Sequence, residues 1–385
     1  MGAGPATTMA RRWARGAADI SADRAGGAAR ILAGTAAALL APACAAAAPR
    51  AEALLLRQAG MLAAVSGGGV WTCAAAAAPL AGRALVLLAD PALPRGAGAG
   101  AMIGAVAGAA RGMNRAPFLY KCAPRTAAAA RRAGWIVLPV ARDAILDPLA
   151  FRPDTPARAG LRRRLRKAER AGVTAGPCAA ADLPLAAMAA LSRDWAARRG
   201  GERGLSVGRF APDYVAGQAV YLAHAGGRLA GFATFHAGAR ERALDMLRTA
   251  ADAPEGTVHA LIAAAIADAA RAGCRRLSLS AAPRPAGAAD RLLPRLLATG
   301  LARLAGTGLS RFKAGFDPRW ETRYAAAPGV LALLRGGLAA GWTILHPPPL
   351  PADPLPRPAP LPAPQAAPEP VPLTLPPEAD LPAAA

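Results

Sequence analysis

The stretch VYLAHAGGRLAGFATF (residues 220–235) decides the fold class. Two apolar runs, 220–223 and 229–235, flank Gly226 and Gly227, and a Gly-Gly pair supplies the positive φ angles of a two-residue hairpin turn. Beyond it, 243–247 predicts a third strand, Thr257 caps a helix running to Gly273, and 276–280 predicts a further strand. Hairpin, strand, helix, strand with short connections is a mixed α/β arrangement. Toward the N-terminus, ALVLLA (84–89) reads as a buried strand ending at Asp90-Pro91 and PFLYKC (117–122) as another, with 125–133 helical and 135–140 a third strand. Between these two regions Thr155 and Pro156 make an N-cap and first helical position, and Gly172 closes the helix. Its body, LRRRLRKAER (161–170), spaces leucines four apart and covers the rest with cations, so a basic helix joins two domains. The expected division is a lead over 1–50, a first domain over 51–172, a second over 173–346 and a Pro/Ala tail over 347–385 without periodicity.

A chain of 385 residues exceeds one ordinary core and suits two domains. Its formal net charge of +22 clusters rather than spreads, which favours a polyanion, either RNA or an anionic bilayer surface. Arginine supplies nearly all of it, since lysine occurs only at Lys121, Lys167 and Lys313. The run 162–170 suits a solvated helix face and polyanion attraction equally. Five scattered cysteines without a CxxC pair argue against a disulfide framework and a zinc site. The apolar run 31–48 reaches the lower limit for a membrane span, but it is mostly alanine and contains Pro42. It predicts a weakly amphipathic or disordered lead, with a signal or anchor as the alternative.

Chemistry concentrates in three places. In LDMLR (244–248), Asp245 and Arg248 stand three apart, so in a regular strand they face opposite sides; one pocket receives both only where the strand ends or bulges. A carboxylate beside a guanidinium suits an amino-acid substrate, the acid holding an ammonium and the base an ester or phosphate oxygen. The functional reading places both at an open strand end, and the alternative is a structural salt bridge at a strand end. In GERGLSVGRF (201–210), Ser206, Gly208, Arg209 and Phe210 form a loop whose glycines permit close backbone approach and whose Arg209 can clamp a phosphate. In SRFKAGFDPRWETRY (310–324), Lys313 falls in a strand-like stretch before the turn Asp317-Pro318, followed by Arg319, Trp320 and Arg323. Cations interleaved with aromatics suit a lipid phosphate or a stacked terminal base; a cationic edge strand with Trp320 in the core is the plainer reading. His224, His236, His259 and His346 make no metal pattern and read as surface or capping residues. No Walker A sequence or complete GxGxxG is present.

These three motifs, in this order, resemble the C-terminal catalytic region of phosphatidylglycerol lysyltransferases, over roughly 85–345 and most strongly over 201–324. Those enzymes esterify lipid headgroups with amino acids taken from aminoacyl-tRNA. The resemblance implies two tandem acetyltransferase-like (GNAT/Fem-like) domains, aminoacyl-tRNA as co-substrate, an anionic phospholipid at the inner membrane face as partner, and neither cofactor nor metal. It casts Asp245, Arg248 and Lys313 as catalytic and Ser206, Gly208, Arg209, Phe210, Arg319, Trp320 and Arg323 as substrate-binding. Full-length members carry a multi-span flippase that these 385 residues lack, so lipid synthesis alone is expected. Acetyl-CoA is not expected: RTAADAPEGT (248–257) stands where acetyltransferases place a glycine-rich pyrophosphate loop, and it has one glycine and acidic residues. A related transferase acting on a peptide, protein or other lipid amine, and a non-catalytic membrane- or RNA-binding module, remain alternatives.

Overall fold

A computed structural model describes residues 29–79, 81–284 and 307–350. Its strands are β1 (Arg30–Ala33), β2 (Leu62–Ser66), β3 (Gly69–Ala78), β4 (Gly82–Leu88), β5 (Ala116–Cys122), β6 (Ile136–Leu146), β7 (Thr174–Cys178), β8 (Ala219–Ala225), β9 (Arg228–Ala237), β10 (Arg242–Thr249), β11 (Leu277–Pro283) and β12 (Arg319–Ala327). Among the described residues all twelve lie in one sheet, in the order β1-β2-β3-β4-β5-β12-β6-β11-β10-β9-β8-β7.

The sheet is built twice from one plan. β2, β3 and β4 run antiparallel, and the helix Ala99–Gly112 then carries the chain over to β5, parallel to β4. β8, β9 and β10 repeat this, with the helix Thr257–Arg271 leading to β11, parallel to β10. A parallel neighbour requires such a crossover, and a helix is its usual form. Each half then gives its last strand to the other: β6 pairs with β11, β12 with β5, and β6 and β12 pair along the full length of β12. The mixed α/β class read from the sequence holds, with the basic helix Ala159–Arg170 between β6 and β7.

Side chains alternate across this sheet, as pleating demands. In β4, Ala84, Val86 and Leu88 enter a core shared by both halves, while Leu85 and Leu87 pack under the first-half helices. In β9, Phe232 enters the shared core and Phe235 packs with Leu261 and Ile262 of the second-half helix.

At the centre lies a buried ion cluster. Asp143 on β6, fully buried, accepts from Arg50, from Arg323 Nη2 at 2.9 Å and from Ser278 Oγ at 2.7 Å. Burial would raise its pKa, but the Arg50 and Arg323 charges hold the carboxyl below its usual range. Glu321 joins through Arg276 Nη2 at 2.6 Å and Arg323 Nη2 at 3.0 Å, so the cluster staples β12, β6 and β11. Removing one partner of such a buried pair costs about 3–5 kcal/mol.

Several expectations change. Part of the lead is structured: β1 pairs with β2, Ala37, Ala41 and Cys44 are buried, and Arg50 enters the central cluster. No helix among the described residues is long and apolar enough to cross a membrane. Thr155 precedes a short 3-10 turn, Pro156–Arg158, and the helix starts at Ala159, although Gly172 closes it with φ +69° as expected. Gly256, not Thr257, is the N-cap of its helix; the Thr257 hydroxyl donates to the Pro254 carbonyl at 2.7 Å. The strand-like reading of residues 310–316 is overturned, since Thr307–Ala314 is a helix. Phe312 and Phe316 both pack on the His259 ring, which anchors that segment to the second-half helix. Residues 1–28 and most of the tail, 351–385, lie outside the described residues.

Candidate active site

The two halves differ where each parallel pair forms. β10 and β11 pair only at Arg242 with Leu277 and Ala243 with Ser278, and then part. On its other side β10 breaks register with β9 between Leu244 and Met246, so Asp245 sits at a bulge. A bulge re-aims a side chain, which answers the facing problem posed by residues three apart.

Asp245 and Arg248 are not at an open strand end. The Asp245 side chain is 4% exposed. Its carboxylate accepts from the Tyr214 hydroxyl at 2.9 Å and Gln218 Nε2 at 2.8 Å, with His236 Nε2 at 3.4 Å. Burial pushes its pKa up, but His236, Gln218 and Tyr214 together outweigh that and hold it below the usual carboxylate range. Tyr214 moves the other way, raised well above the phenol range by burial and by the Asp245 charge. Asp245 is thus a fixed anion rather than a ready base.

Arg248 is equally enclosed, and burial lowers its pKa. Its guanidinium lies 3.9 Å from the Trp195 ring centroid, and Nη2 donates to Glu202 Oε2 at 3.0 Å and weakly to the Gly208 carbonyl at 3.4 Å. Gly208 also packs against the Asp245 carboxylate so closely that a Cβ there would overlap it. The mutual salt bridge is therefore replaced by a sandwich, with the 201–210 loop wedged between acid and base. Neighbouring Ser206 accepts from Lys121 Nζ at 3.1 Å. The Arg209 amide donates to Gln58 Oε1 at 2.9 Å and its Nη1 to the Pro348 carbonyl at 2.6 Å, while Phe210 packs edge-on against Phe232.

Lys313 reaches β11 from the helix Thr307–Ala314. Its Nζ donates to the Ser280 carbonyl at 2.7 Å and the Ala281 carbonyl at 3.1 Å, on β11 just past the parting of the strands. Ser280 Oγ in turn donates to the Leu244 carbonyl, beside Asp245. Lys313 is almost fully buried, and burial pushes its pKa down to about 7. Three non-glycine residues here, Lys121, Leu205 and Ser280, have positive φ angles of 62°, 58° and 66°. Such backbone strain concentrates where surrounding structure enforces a functional geometry.

Arg319, Trp320 and Arg323 are not brought to this gap. They lie on β12, three strands from β10, about 14 Å at the usual strand spacing. Arg319 pairs with Glu321 at 2.7 Å, Trp320 lies under the Arg142 guanidinium, and Arg323 belongs to the central ion cluster. Arg319 instead borders a surface cavity of about 430 Å³ with Asp147, Phe151, Arg158 and Arg276, at the opposite end of these strands. The surface reading of His236 is corrected: it is 3% exposed and sits against Asp245. Tyr214, Gln218, Trp195, Glu202 and Lys121 also escaped sequence reading. PDYVAGQ (212–218) offers no motif, and only the fold shows that it touches Asp245. Among the described residues no cluster of His, Cys, Asp and Glu is suited to a metal ion.

The profile of the family described as "Phosphatidylglycerol lysyltransferase, C-terminal" matches residues 59–327, more than half of the chain. The chain belongs to that family. This phosphatidylglycerol lysyltransferase-family chain is similar to the crystal structure of the C-terminal domain of a putative lysylphosphatidylglycerol synthetase from Agrobacterium fabrum. The TM-score is 0.68 with 25% identity, over 77% of this chain and 92% of that one. It also resembles L-PGS from Bacillus licheniformis (TM-score 0.63, 21% identity, 74% and 89% covered). A protein of unknown function from Bacteroides thetaiotaomicron shares the fold (TM-score 0.51, 11% identity, 72% and 90% covered). No curated protein matches the chain. As a member of this family the chain is an aminoacyltransferase, with a lysylphosphatidylglycerol synthetase-like function.

Proposed function

We propose that the chain transfers an aminoacyl group from aminoacyl-tRNA to phosphatidylglycerol, working at the inner face of the cytoplasmic membrane and without a cofactor. The observation that carries this reading is the parting of β10 from β11, with a buried anion at the bulge of β10, a buried guanidinium three residues on, and a lysine of lowered pKa bonded to β11 past the parting. Asp245 is the partner for the α-ammonium of the aminoacyl group, and Arg248 for a phosphate or developing oxyanion. Neutral Lys313 takes the proton of the attacking lipid hydroxyl and returns it to the departing ribose oxygen of the tRNA. The hydroxyl oxygen forms a bond to the carbonyl carbon as the bond to the ribose oxygen breaks. One ester replaces another, so holding both substrates in register supplies most of the rate and no covalent enzyme intermediate is required.

The helix start after β10 supports tRNA over acetyl-CoA as donor. An acetyltransferase-like site would set pyrophosphate on those backbone amides. Here Gly256 packs against the Arg164 carbonyl and Ala168 of the basic helix, and Glu255 pairs with Arg164 and Lys167, so the position is closed and carries a carboxylate. The test is lipid chromatography with ninhydrin staining after incubation with charged tRNA and phosphatidylglycerol vesicles. A ninhydrin-positive, less anionic lipid whose formation RNase abolishes is expected. RNase-resistant transfer that depends on acetyl-CoA would overturn the reading, and label appearing on peptide or another lipid amine would favour a related transferase.

A further inference from the structure

The helix Val330–Leu345 is built inside out. Its buried face, which lies on β3, β4 and β5, carries small residues: Gly336, Ala339 and Ala340, with Leu333. Its outward face carries the large ones, Val330 (52% exposed), Leu331 (60%), Leu334 (37%), Leu338 (60%) and Trp342 (42%). Positions 331, 334, 338 and 342 recur at helical spacing, so they form one continuous stripe, where a helix packed on a sheet ordinarily turns such side chains inward. A stripe of this size marks an interaction surface.

Three further observations identify its occupant. The helix contains one charged residue, Arg335, and no carboxylate, on a chain of net charge +22, which suits an anionic partner. Trp342 stacks on His346 with ring centroids 4.0 Å apart, an amphipathic aromatic pair of the kind placed at a membrane-water boundary. The helix end is also wired to the site loop: the Ile344 carbonyl accepts from the Gly204 amide at 3.0 Å, and the Pro348 carbonyl accepts from Arg209. We propose that this stripe docks the protein on an anionic lipid bilayer, with the helix lying in the interface and the 201–210 loop held at the lipid surface. The inference rests on the reading above for the identity of the lipid acceptor, but not for the docking itself.

The experiment is flotation with vesicles of phosphatidylglycerol and phosphatidylcholine, comparing wild type with the double variant Leu331→Ser/Leu338→Ser. The double variant should partition at least about tenfold less while keeping its melting temperature, because both side chains are exposed. Vesicles with brominated acyl chains should quench tryptophan fluorescence of the wild type and lose that component in Trp342→Phe. Transfer to vesicle phosphatidylglycerol should fall in the double variant, and transfer to a water-dispersed short-chain phosphatidylglycerol should not. Unchanged partitioning of the double variant, or the same quench in Trp342→Phe, would overturn the docking. So would unchanged vesicle binding accompanied by loss of a dimer, or by a melting-temperature drop that removal of residues 351–385 reproduces; these outcomes name a second copy or the chain's own tail as occupant. Vesicle binding that depends on the stripe, with no transfer to either acceptor, supports the docking and sinks the functional reading.

Discussion

RALVLLA (83–89) in the first half and RALDMLR (242–248) in the second occupy the same place in the same plan, and they behave oppositely. β4 pairs with its parallel neighbour β5 at every position from Ala84 to Leu88, whereas β10 pairs with β11 at two positions and then leaves it. Where the first half has Val86, fully buried in the shared core, the second has Asp245 at a bulge; where the first has Ala89, the second has Arg248. An unbroken row of apolar residues lets a parallel pair close. A carboxylate and a guanidinium must keep polar partners, and theirs are Tyr214, Gln218 and His236 on one side and Glu202 on the other. On the proposed reading the second half supplies the candidate acid and base, and the first half contributes scaffold together with Gln58 and Lys121, which hold the 201–210 loop.

The largest expected effect separates these roles. Asp245→Asn and Arg248→Ala should each lower turnover per folded molecule by roughly 10²–10³-fold, and the double variant should lose little more than either single, because one site needs both charges. Val86→Ala, the first-half counterpart, should cost about 2 kcal/mol of stability and leave turnover per folded molecule unchanged. Thermal melts run beside initial rates distinguish the two. If all three variants lose activity only in proportion to folded protein, the comparison collapses and Asp245 is scaffold as well.

A smaller effect is expected at the glycines. Gly208→Ala forces a methyl into the space of the Asp245 carboxylate and should slow transfer by about 10–100-fold through misplacement. Gly104→Ala, in the first-half helix with open space around its Cβ, should be neutral in rate and stabilising by roughly 0.5–1 kcal/mol. A Gly208→Ala enzyme with wild-type rate would show that the loop is not fitted against Asp245.

The smallest and most diagnostic effect is in pH. Lys313 has a folded pKa near 7, so transfer should rise about tenfold per pH unit below that value and level above it, as the amine becomes neutral. An unfolded chain keeps its lysines protonated to about pH 10.4, so it binds more protons than the folded state between about 7 and 10.4 and stability should rise with pH across that window. Lys313→Met should remove both the rate limb near 7 and that stability slope. A limb that survives in Lys313→Met belongs to another group.

The hairpin, strand, helix, strand order of the second half was legible because it rests on local chemistry, whereas in the first half β4, β5, β6 and the helix Pro124–Arg132 were read and β1, β2, β3 and the helix Ala99–Gly112 were not. The Gly226-Gly227 turn has positive φ at both residues, and Gly172 ends its helix as read. Residues 310–316 were misread because SRFKAGF alternates in polarity, while the two phenylalanines that hold it as a helix meet their partner His259 some fifty residues away in sequence. The helix Val330–Leu345 went unread because VLALLRGGLAAGWTIL is apolar or small at almost every position and holds three glycines, so no polar face marks a helical period.

The sequence by itself determined the α/β class and the order of the motifs, since turn chemistry and polarity act over a few residues, and the candidates Asp245, Arg248 and Lys313 followed from the family resemblance those motifs carry. Only the tertiary structure decided that β6 and β12 are exchanged between halves, that Gly208 wedges between Asp245 and Arg248, and that Lys313 reaches β11 from a helix. It also removed Arg319, Trp320 and Arg323 from the gap. Strand exchange depends on pairings between residues more than a hundred positions apart, such as Leu277 with Leu146 and Tyr324 with Cys122, and a carboxylate's partners and pKa follow from what those pairings enclose, which no local pattern encodes.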